Sequence, residues 1–127
     1  MSIAVERVVR TLTQAQLQAY ADASGDHNPI HIDPVFAATT AFGGTIAHGM
    51  LVLSLIGEMM FAAHGEQWAA NGWLKVRFKA PTRPGDTVTA SAVIAKQLDD
   101  SIEYAVQCAN QRGEVLIEGR ATVTVVA

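Results

Sequence analysis

A carboxyl and an imidazole group, those of Asp26 and His31, lie at the two ends of a short polar loop. Pro29 fixes its own φ angle and biases Asn28 away from helical backbone, so the loop is stiff enough to aim both side chains at one point. Adding water across a conjugated double bond requires a base that activates the water and an acid that protonates the α-carbon. A carboxylate and an imidazole that hold one water could do both. Because both groups act from one side of the substrate, the addition would be syn.

The same loop also has a purely local interpretation. Residues of these types favour turns, so Asp26 could cap nearby amides, Asn28 could form an Asx turn and His31 could fill a corner. Each residue taken alone fits this interpretation better. The combination of two polar groups around a rigid proline, just before a glycine-rich segment, favours the catalytic interpretation.

The glycine-rich segment between Gly43 and Met50 leads into an apolar stretch. A helix N-terminus presents unpaired amides and a partial positive charge, and a glycine there lets a carbonyl oxygen come close. The Gly49 amide is therefore a candidate to polarise a thioester carbonyl as negative charge develops in an enolate-like transition state. Spacing alone is equally consistent with glycines that only allow the helix to pack against the loop.

Short helices are predicted on both sides of the polar loop. Thr13 and Gln16 have the spacing of a capping box, which predicts the start of a helix that Gly25 ends. Asp33, followed by a proline, predicts an N-cap and a short helix over 34–41.

The remaining elements predict a sheet around one helix. The segment from His48 to about Ala63 is apolar on nearly every side, which predicts a buried helix. Alternating runs separated by turn signals predict antiparallel strands with one wet face, and these are Leu74–Phe78, Thr87–Lys96, Ile102–Cys108 and Val115–Val126, with Ile3–Arg10 as a candidate opening strand. An α+β fold follows, with a curled antiparallel sheet wrapped around one long buried central helix, and 127 residues suit a single domain over 1–127.

Composition argues against several classes of function. Half of the residues are hydrophobic, and the net charge is −3 with the nine basic residues scattered, so neither nucleic acid nor an anionic membrane is an expected partner. No apolar run is suited to span a bilayer and no leader signature is present, which predicts a cytoplasmic protein. The single Cys108 is predicted to be a buried core residue, and no His, Cys and Asp cluster has the sequence spacing of a metal site.

The segment from Tyr20 to His31 closely resembles the hydratase motif of the MaoC-like family, which includes (R)-specific enoyl-CoA hydratases and (3R)-hydroxyacyl-thioester dehydratases. The stretches Asp33–Leu51, Val76–Pro81 and Pro84–Asp86 are also similar, so the resemblance spans most of the chain. It implies a hot-dog fold. It also implies a hydro-lyase that converts trans-2-enoyl thioesters of CoA or acyl carrier protein reversibly to (R)-3-hydroxyacyl thioesters.

For the site, the resemblance implies Asp26 and His31 as the catalytic pair and Gly49 as the carbonyl-binding amide. It implies a homodimer or higher homo-oligomer with acyl pockets near the subunit interface, and no cofactor beyond the carrier thiol. Some relatives have a serine in the central helix near the site. Here Gly57 aligns with that position and Ser54 lies one turn earlier.

Ser54 and Asn28 are the further substrate-binding candidates. Two alternative functions remain open. A hot-dog thioesterase usually needs a carboxylate on or beside the central helix, for which Glu58 is the candidate within that helix. A non-catalytic acyl-binding subunit of a heteromeric dehydratase is the other alternative, and the intact Asp and His pair argues against it.

Three further histidines receive minor roles. His27 is expected to face solvent, His48 to brace the loop, and His64 to sit near a helix end where a cation is favourable. Trp68 and Trp73 are expected in the core or at an interface.

Overall fold

The computed structural model describes residues 4–125, which form one antiparallel sheet and five helices. The strands are β1 (Val8–Thr11), β2 (Trp73–Phe78), β3 (Thr87–Gln97), β4 (Ser101–Ala109) and β5 (Val115–Thr124). The helices are α1 (Gln14–Ser24), α2 (Pro29–Ile32), α3 (Pro34–Ala38), α4 (Gly49–His64) and α5 (Glu66–Asn71). The spatial order of the strands is β1-β3-β4-β5-β2, so β1 and β2 form the two edges.

The central strands follow the predicted alternation. β4 pairs with β3 on one side and β5 on the other. Its alternate residues are buried, namely Ile102, Tyr104, Val106 and Cys108. The turn between β4 and β5 includes Gly113, whose φ of 79° lies in the left-handed region that glycine adopts without strain.

Helix α4 packs one apolar face against the sheet. Val52, Leu55, Ile56, Met59 and Met60 are its buried residues, with the spacing of a single helical stripe. They belong to the same core as the inward side chains of β3, β4 and β5. A curled antiparallel sheet around a long helix confirms the predicted α+β hot-dog fold.

The expectation that α4 is buried all round is wrong for the single chain. Met50 is 60% exposed and Phe61 is 49% exposed. The sheet is one layer and can cover only one side of the helix, so the opposite apolar face lies open.

Local capping signals set the ends of α1. Thr13 and Gln16 form the predicted reciprocal capping box, which satisfies two free amides at the start of the helix. Gly25 ends the helix with φ at 80°, and its main-chain N–H donates a hydrogen bond to the Ala21 carbonyl. These predictions are confirmed, and they fix where the polar loop begins.

Three predicted boundaries need correction. The helix predicted over 34–41 ends at Ala38, because the hydroxyls of Thr39 and Thr40 bind the carbonyls of the last turn. The opening strand is Val8–Thr11 instead of Ile3–Arg10, and residues 1–3 lie outside the described part. β5 ends at Thr124, and Val126, the predicted end of this strand, lies outside the described residues.

Helix α5 was not predicted from the sequence. It follows Gly65 directly, and its six residues are too few to show a helical period in the sequence. Trp68 packs on the core from this helix, whereas Trp73 at the start of β2 is 56% exposed. Within residues 4–125, no helix has the length and apolar character needed to cross a membrane.

Candidate active site

The loop between α1 and α2 makes a carboxylate face an imidazole. Asp26 Oδ1 accepts a hydrogen bond from the main-chain N–H of Asn28 at 3.3 Å. Its Oδ2 lies 3.9 Å from Nε2 of His31. This distance is too long for a direct hydrogen bond and leaves room for one water about 2.8 Å from each atom. The carboxylate is half exposed, whereas the imidazole is mostly buried.

The second nitrogen of His31 is bound to the main chain. Nδ1 lies 2.8 Å from the Ile46 carbonyl oxygen. Because a carbonyl only accepts, Nδ1 donates its N–H, and in the neutral ring Nε2 then carries the free lone pair near Asp26. Gln14 braces the same region, since its amide donates to the His31 carbonyl at 2.8 Å and accepts from the Thr45 hydroxyl at 2.7 Å.

His48, the residue before α4, packs directly on this pair. Its Nε2 lies 3.0 Å from the carbonyl oxygen of Asp26. Its ring stacks on His31 with centroids 3.9 Å apart and planes at 25°, and Tyr20 packs against it at 4.7 Å. Burial lowers the pKa of His48, an effect only partly opposed by the hydrogen bond to Asp26, and this favours the neutral ring. The prediction that His48 braces the loop fits this geometry.

Asp26, His31 and His48 bring three potential metal-binding atoms within 4.8 Å of one another, which the sequence spacing did not reveal. Histidine binds a metal along the lone pair in its ring plane. The two rings are stacked, so their in-plane lone pairs run nearly parallel and converge poorly on one ion. One nitrogen of each ring is already bound to a main-chain carbonyl. The arrangement suits proton transfer better than metal binding.

An apolar cavity of about 370 Å³ adjoins the imidazole, a size ordinary for small-molecule sites. His31 and Gly49 both line it, and Gly49 is the first residue of α4. A Cβ on Gly49 would lie 3.0 Å from the Phe78 ring, so the glycine allows that ring to approach the helix N-terminus. The mainly apolar side chains that complete the wall include those of Phe42, Ile46, Val52, Ala80, Pro81 and Ile117.

Asp26, which faces His31 from beside the cavity, and the other predicted site residues lie outside this wall in the single chain. Asn28 caps α2, with its side-chain oxygen accepting a main-chain N–H at 3.1 Å. Ser54 donates to the Leu51 carbonyl at 2.6 Å. Glu58 pairs with Arg10 at 2.8 Å. The substrate-binding roles of Asn28 and Ser54 stay predictions.

A larger depression of about 720 Å³ lies on strands β2 to β5. It contains no predicted site residue. Charges of both signs surround it, contributed by Lys75, Arg77, Glu118 and Arg120. We therefore assign the candidate chemistry to the smaller cavity, where ionisable and apolar groups meet.

Burial shifts the pKa values of two side chains that lie outside this site. His64 lies in the last turn of α4, as expected, but burial lowers its pKa and so disfavours the cation, and Nε2 shares a 2.8 Å hydrogen bond with the Tyr104 hydroxyl. Cys108 is fully buried, as predicted, and burial raises the pKa of its thiol to about 12.

Sequence reasoning missed Gln14, Thr45 and Phe78 as parts of this site. They come from α1, from the segment before α4 and from the edge strand β2. None of the three has a residue type or a local sequence pattern typical of a catalytic site, and only folding brings each near His31. No local signal in the sequence could have found them.

Comparisons with known proteins agree with this architecture. Residues 4–114 match the family model described as the MaoC like domain. The 3-hydroxyacyl-thioester dehydratase Z of Mycobacterium tuberculosis is 44% identical over 86 residues, covering 65% of this chain and 57% of that protein. This chain thus spans little more than half the length of that relative.

Two further comparisons cover nearly the whole chain. The (R)-specific enoyl-CoA hydratase of Rhodospirillum rubrum is 34% identical over 122 residues, covering 94% of this chain and 84% of that protein. The solved structure of the (R)-hydratase from A. caviae matches with a TM-score of 0.82 and 32% identity, covering 99% of this chain and 98% of that one. Because the family model covers most of the chain and the fold agrees along its length, this chain belongs to the MaoC-like family.

Proposed function

We propose that this chain catalyses the reversible hydration of trans-2-enoyl thioesters to (R)-3-hydroxyacyl thioesters, with Asp26 and His31 as the acid–base pair. The observation that carries the proposal is the 3.9 Å approach of Asp26 Oδ2 to His31 Nε2, beside an apolar cavity that His31 lines. The names of the similar hydratases and dehydratases support the reaction class and the R configuration.

In the proposed mechanism, one water lies between the carboxylate and the imidazole. The carboxylate of Asp26 takes a proton from the water as its oxygen bonds to the β-carbon of the enoyl group. The electron pair of the double bond moves toward the thioester, which becomes enolate-like. His31 Nε2 shares the same water, and the pair passes the proton taken from the water to the α-carbon on the same side. H and OH therefore add syn, and Asp26 is again a carboxylate.

The enolate-like oxygen needs a hydrogen-bond donor. We assign this role to the main-chain N–H of Gly49, which opens α4 and lines the same cavity as His31. The helix dipole at this end favours developing negative charge. The substrate is an acyl thioester of CoA or of an acyl carrier protein, and no other cofactor enters the mechanism.

Hydrolysis of the thioester is the competing enzymatic function. Its candidate carboxylate, Glu58, is ion-paired with Arg10, whereas the carboxylate of Asp26 faces the imidazole of His31, which lines the cavity. The geometry therefore favours hydration. A non-catalytic acyl-binding subunit is disfavoured by the position of Asp26 facing His31.

We also propose that the chain assembles at least into a homodimer. The outer apolar face of α4 and the edge strand β2 expose large side chains, including Phe61 and Trp73. Exposed apolar surface and an unpaired strand edge are both stabilised by a partner.

A panel of trans-2-enoyl-CoA substrates tests the function. We expect the absorbance of the conjugated thioester to fall in the presence of the protein, with (R)-3-hydroxyacyl-CoA as the product and no release of free thiol. Because Cys108 is buried with a raised pKa, the native protein contributes little background to a thiol assay at pH 8. Thiol release without hydration would favour the thioesterase, and neither reaction would favour a binding subunit.

A further inference from the structure

We propose that His48 is a positioning residue for the Asp26 and His31 pair: as a neutral imidazole it holds the main chain of one and the ring of the other. This inference rests on the proposed hydration. It assigns to a histidine from outside the motif the task of fixing the distance on which the chemistry depends.

The first contact fixes Asp26 through its backbone. Nε2 of His48 lies 3.0 Å from the Asp26 carbonyl oxygen, so Nε2 carries the proton and donates it. The loop around Asp26 otherwise relies on short-range turn contacts, such as the Ser24 hydroxyl that accepts from the Asp26 N–H at 3.2 Å. The bond from His48 joins this exposed loop to the start of helix α4.

The second contact fixes the plane of the His31 ring. The two imidazoles stack with centroids 3.9 Å apart and planes at 25°. Tyr20 packs on His48 at 4.7 Å and 60°, so His48 lies between α1 and the catalytic ring. Together with the bond from His31 Nδ1 to the Ile46 carbonyl, the stack leaves His31 little freedom to rotate.

The ionisation state of His48 suits this task. Asp26, His27 and His31 are the charged or titratable groups that act on it, and burial has the largest effect, lowering its pKa. A positive charge on His48 would oppose a second positive charge on the ring stacked against it. A neutral His48 lets His31 gain and lose a proton during turnover without that repulsion.

Packing of the ring alone explains this residue poorly. The ring is 2% exposed, and its Nδ1 has no hydrogen-bond partner among the described residues. A buried acceptor without a partner costs free energy, which an apolar ring of the same size would avoid. A histidine at this position therefore indicates that the donor at Nε2 is needed.

The position of His48 in the chain also connects the catalytic pair to the proposed carbonyl site. His48 immediately precedes Gly49, whose amide we assign to the substrate carbonyl. The same residue thus couples the water-activating pair to the proposed carbonyl site. A shift in either would change the distance between the two halves of the reaction.

Two substitutions separate the donor from the ring. His48→Phe keeps a stacked ring and removes the donor, whereas His48→Gln keeps an N–H near the position of Nε2 and removes the ring. A misplacement of about 1 Å can cost on the order of 10²-fold in rate. We expect His48→Phe to lower kcat at least about 10-fold with KM within about twofold, the signature of lost transition-state positioning, and His48→Gln to recover most of this loss.

The matched control is His64→Phe. His64 is also a histidine with lowered pKa that contacts an aromatic residue, Tyr104, and it has no part in the proposed site. This variant should be less stable and retain parental kcat. A folded His48→Phe variant with parental kcat, or a His48→Gln variant as slow as His48→Phe, would overturn the proposal.

A second measurement needs no substitution. Nitrogen-15 NMR of the histidine rings in the parental protein should show His48 with its proton on Nε2 and with a pKa below the ordinary histidine value of 6.5. A proton on Nδ1, or titration at the ordinary pKa, would refute the neutral donor. If the parental protein hydrates no enoyl thioester, the proposed function fails, and NMR alone then decides whether the donor is present.

Discussion

The proton on Nδ1 of His31 determines what its other nitrogen can do. Nδ1 lies 2.8 Å from the Ile46 carbonyl oxygen and donates to it, which leaves the lone pair of Nε2 free to accept a hydrogen bond beside Asp26. A mostly buried imidazole whose tautomer is set by the main chain is prepared for proton transfer before substrate binds.

Substitution of Gly49 tests the amide proposed to bind the substrate carbonyl. Gly49→Pro removes the N–H, and the first helical position together with the extended ψ of 132° at His48 makes a proline tolerable there. We expect the loss of one oxyanion donor to cost on the order of 10²–10³ in kcat.

The control for this variant is Gly49→Ala, which keeps the amide. Its Cβ would lie 3.0 Å from the Phe78 ring, the same steric problem that proline presents. Gly49→Ala should therefore lose much less activity than Gly49→Pro. Equal losses in the two folded variants would mean that crowding against Phe78, and not the amide, explains both.

Sequence alone could identify the ends of the catalytic loop but not its supports. Asp26 and His31 share one rigid segment, so local chemistry and motif resemblance both point to them. Gln14 and Thr45 lie in distant segments of the chain, and a hydrogen bond between their side chains joins these segments beside the catalytic loop. Such a bond exists only after folding, and neither residue type carries a signal for it.

At the level of elements, the end of α4 is joined to β4 by a hydrogen bond between a half-buried histidine and a buried tyrosine. His64 Nε2 and the Tyr104 hydroxyl are 2.8 Å apart, and burial lowers the pKa of the histidine and raises the pKa of the tyrosine. His48 at the other end of α4 also has a lowered pKa. Both ends of the helix thus favour neutral imidazoles.

These shifts predict how stability depends on pH. Below pH 6.5 the unfolded chain binds protons at His64 that the folded chain resists, so the free energy of unfolding should fall as pH decreases through that range. Replacing His64 by Gln keeps a polar partner for Tyr104 and removes the titration.

Denaturant unfolding at pH 7.5 and pH 5.5 measures the effect. We expect the parental protein to lose more stability over this interval than His64→Gln does. An equal loss in both proteins would mean that His64 titrates alike in the folded and unfolded chains, contrary to the burial seen here.

The open face of helix α4 could not be predicted from its sequence pattern. Its apolar character correctly predicted a helix against the sheet, but Met50 and Phe61 face outward in the single chain. A sequence pattern reports that a face is apolar and not what covers it. Helix α5 was missed for a different reason, because six residues are too few to show a helical period.

At the level of the whole molecule, the apolar surface predicts self-association. Light scattering at micromolar concentration should report at least twice the mass of one chain. Phe61→Glu places a charge on the open face of α4 and should weaken the assembly. Val93→Glu, at an exposed position on β3, is the matched control and should leave it intact. A monomeric parental protein would contradict the proposed dimer.

Most of the global fold could be predicted, because alternation in β3, β4 and β5 and the apolar stripe of α4 are both strong periodic signals. Strand order within the sheet could not. β2 pairs with β5 and β1 with β3 across long stretches of chain, and such pairings depend on packing of the whole core.

The most direct test measures kcat for hydration of a trans-2-enoyl-CoA by the parental protein, Asp26→Asn, His31→Ala and the double variant. Each single variant should remain folded by circular dichroism and lose at least about 10²-fold in kcat, the scale of general acid–base groups. The double variant should be about as slow as the slower single variant, because the two residues act as one unit. Asp22→Asn, at an exposed carboxylate paired with His27 beside the loop, is the matched control and should retain parental kcat. A folded Asp26→Asn or His31→Ala variant that hydrates the substrate at near parental rate would contradict the proposed catalytic pair.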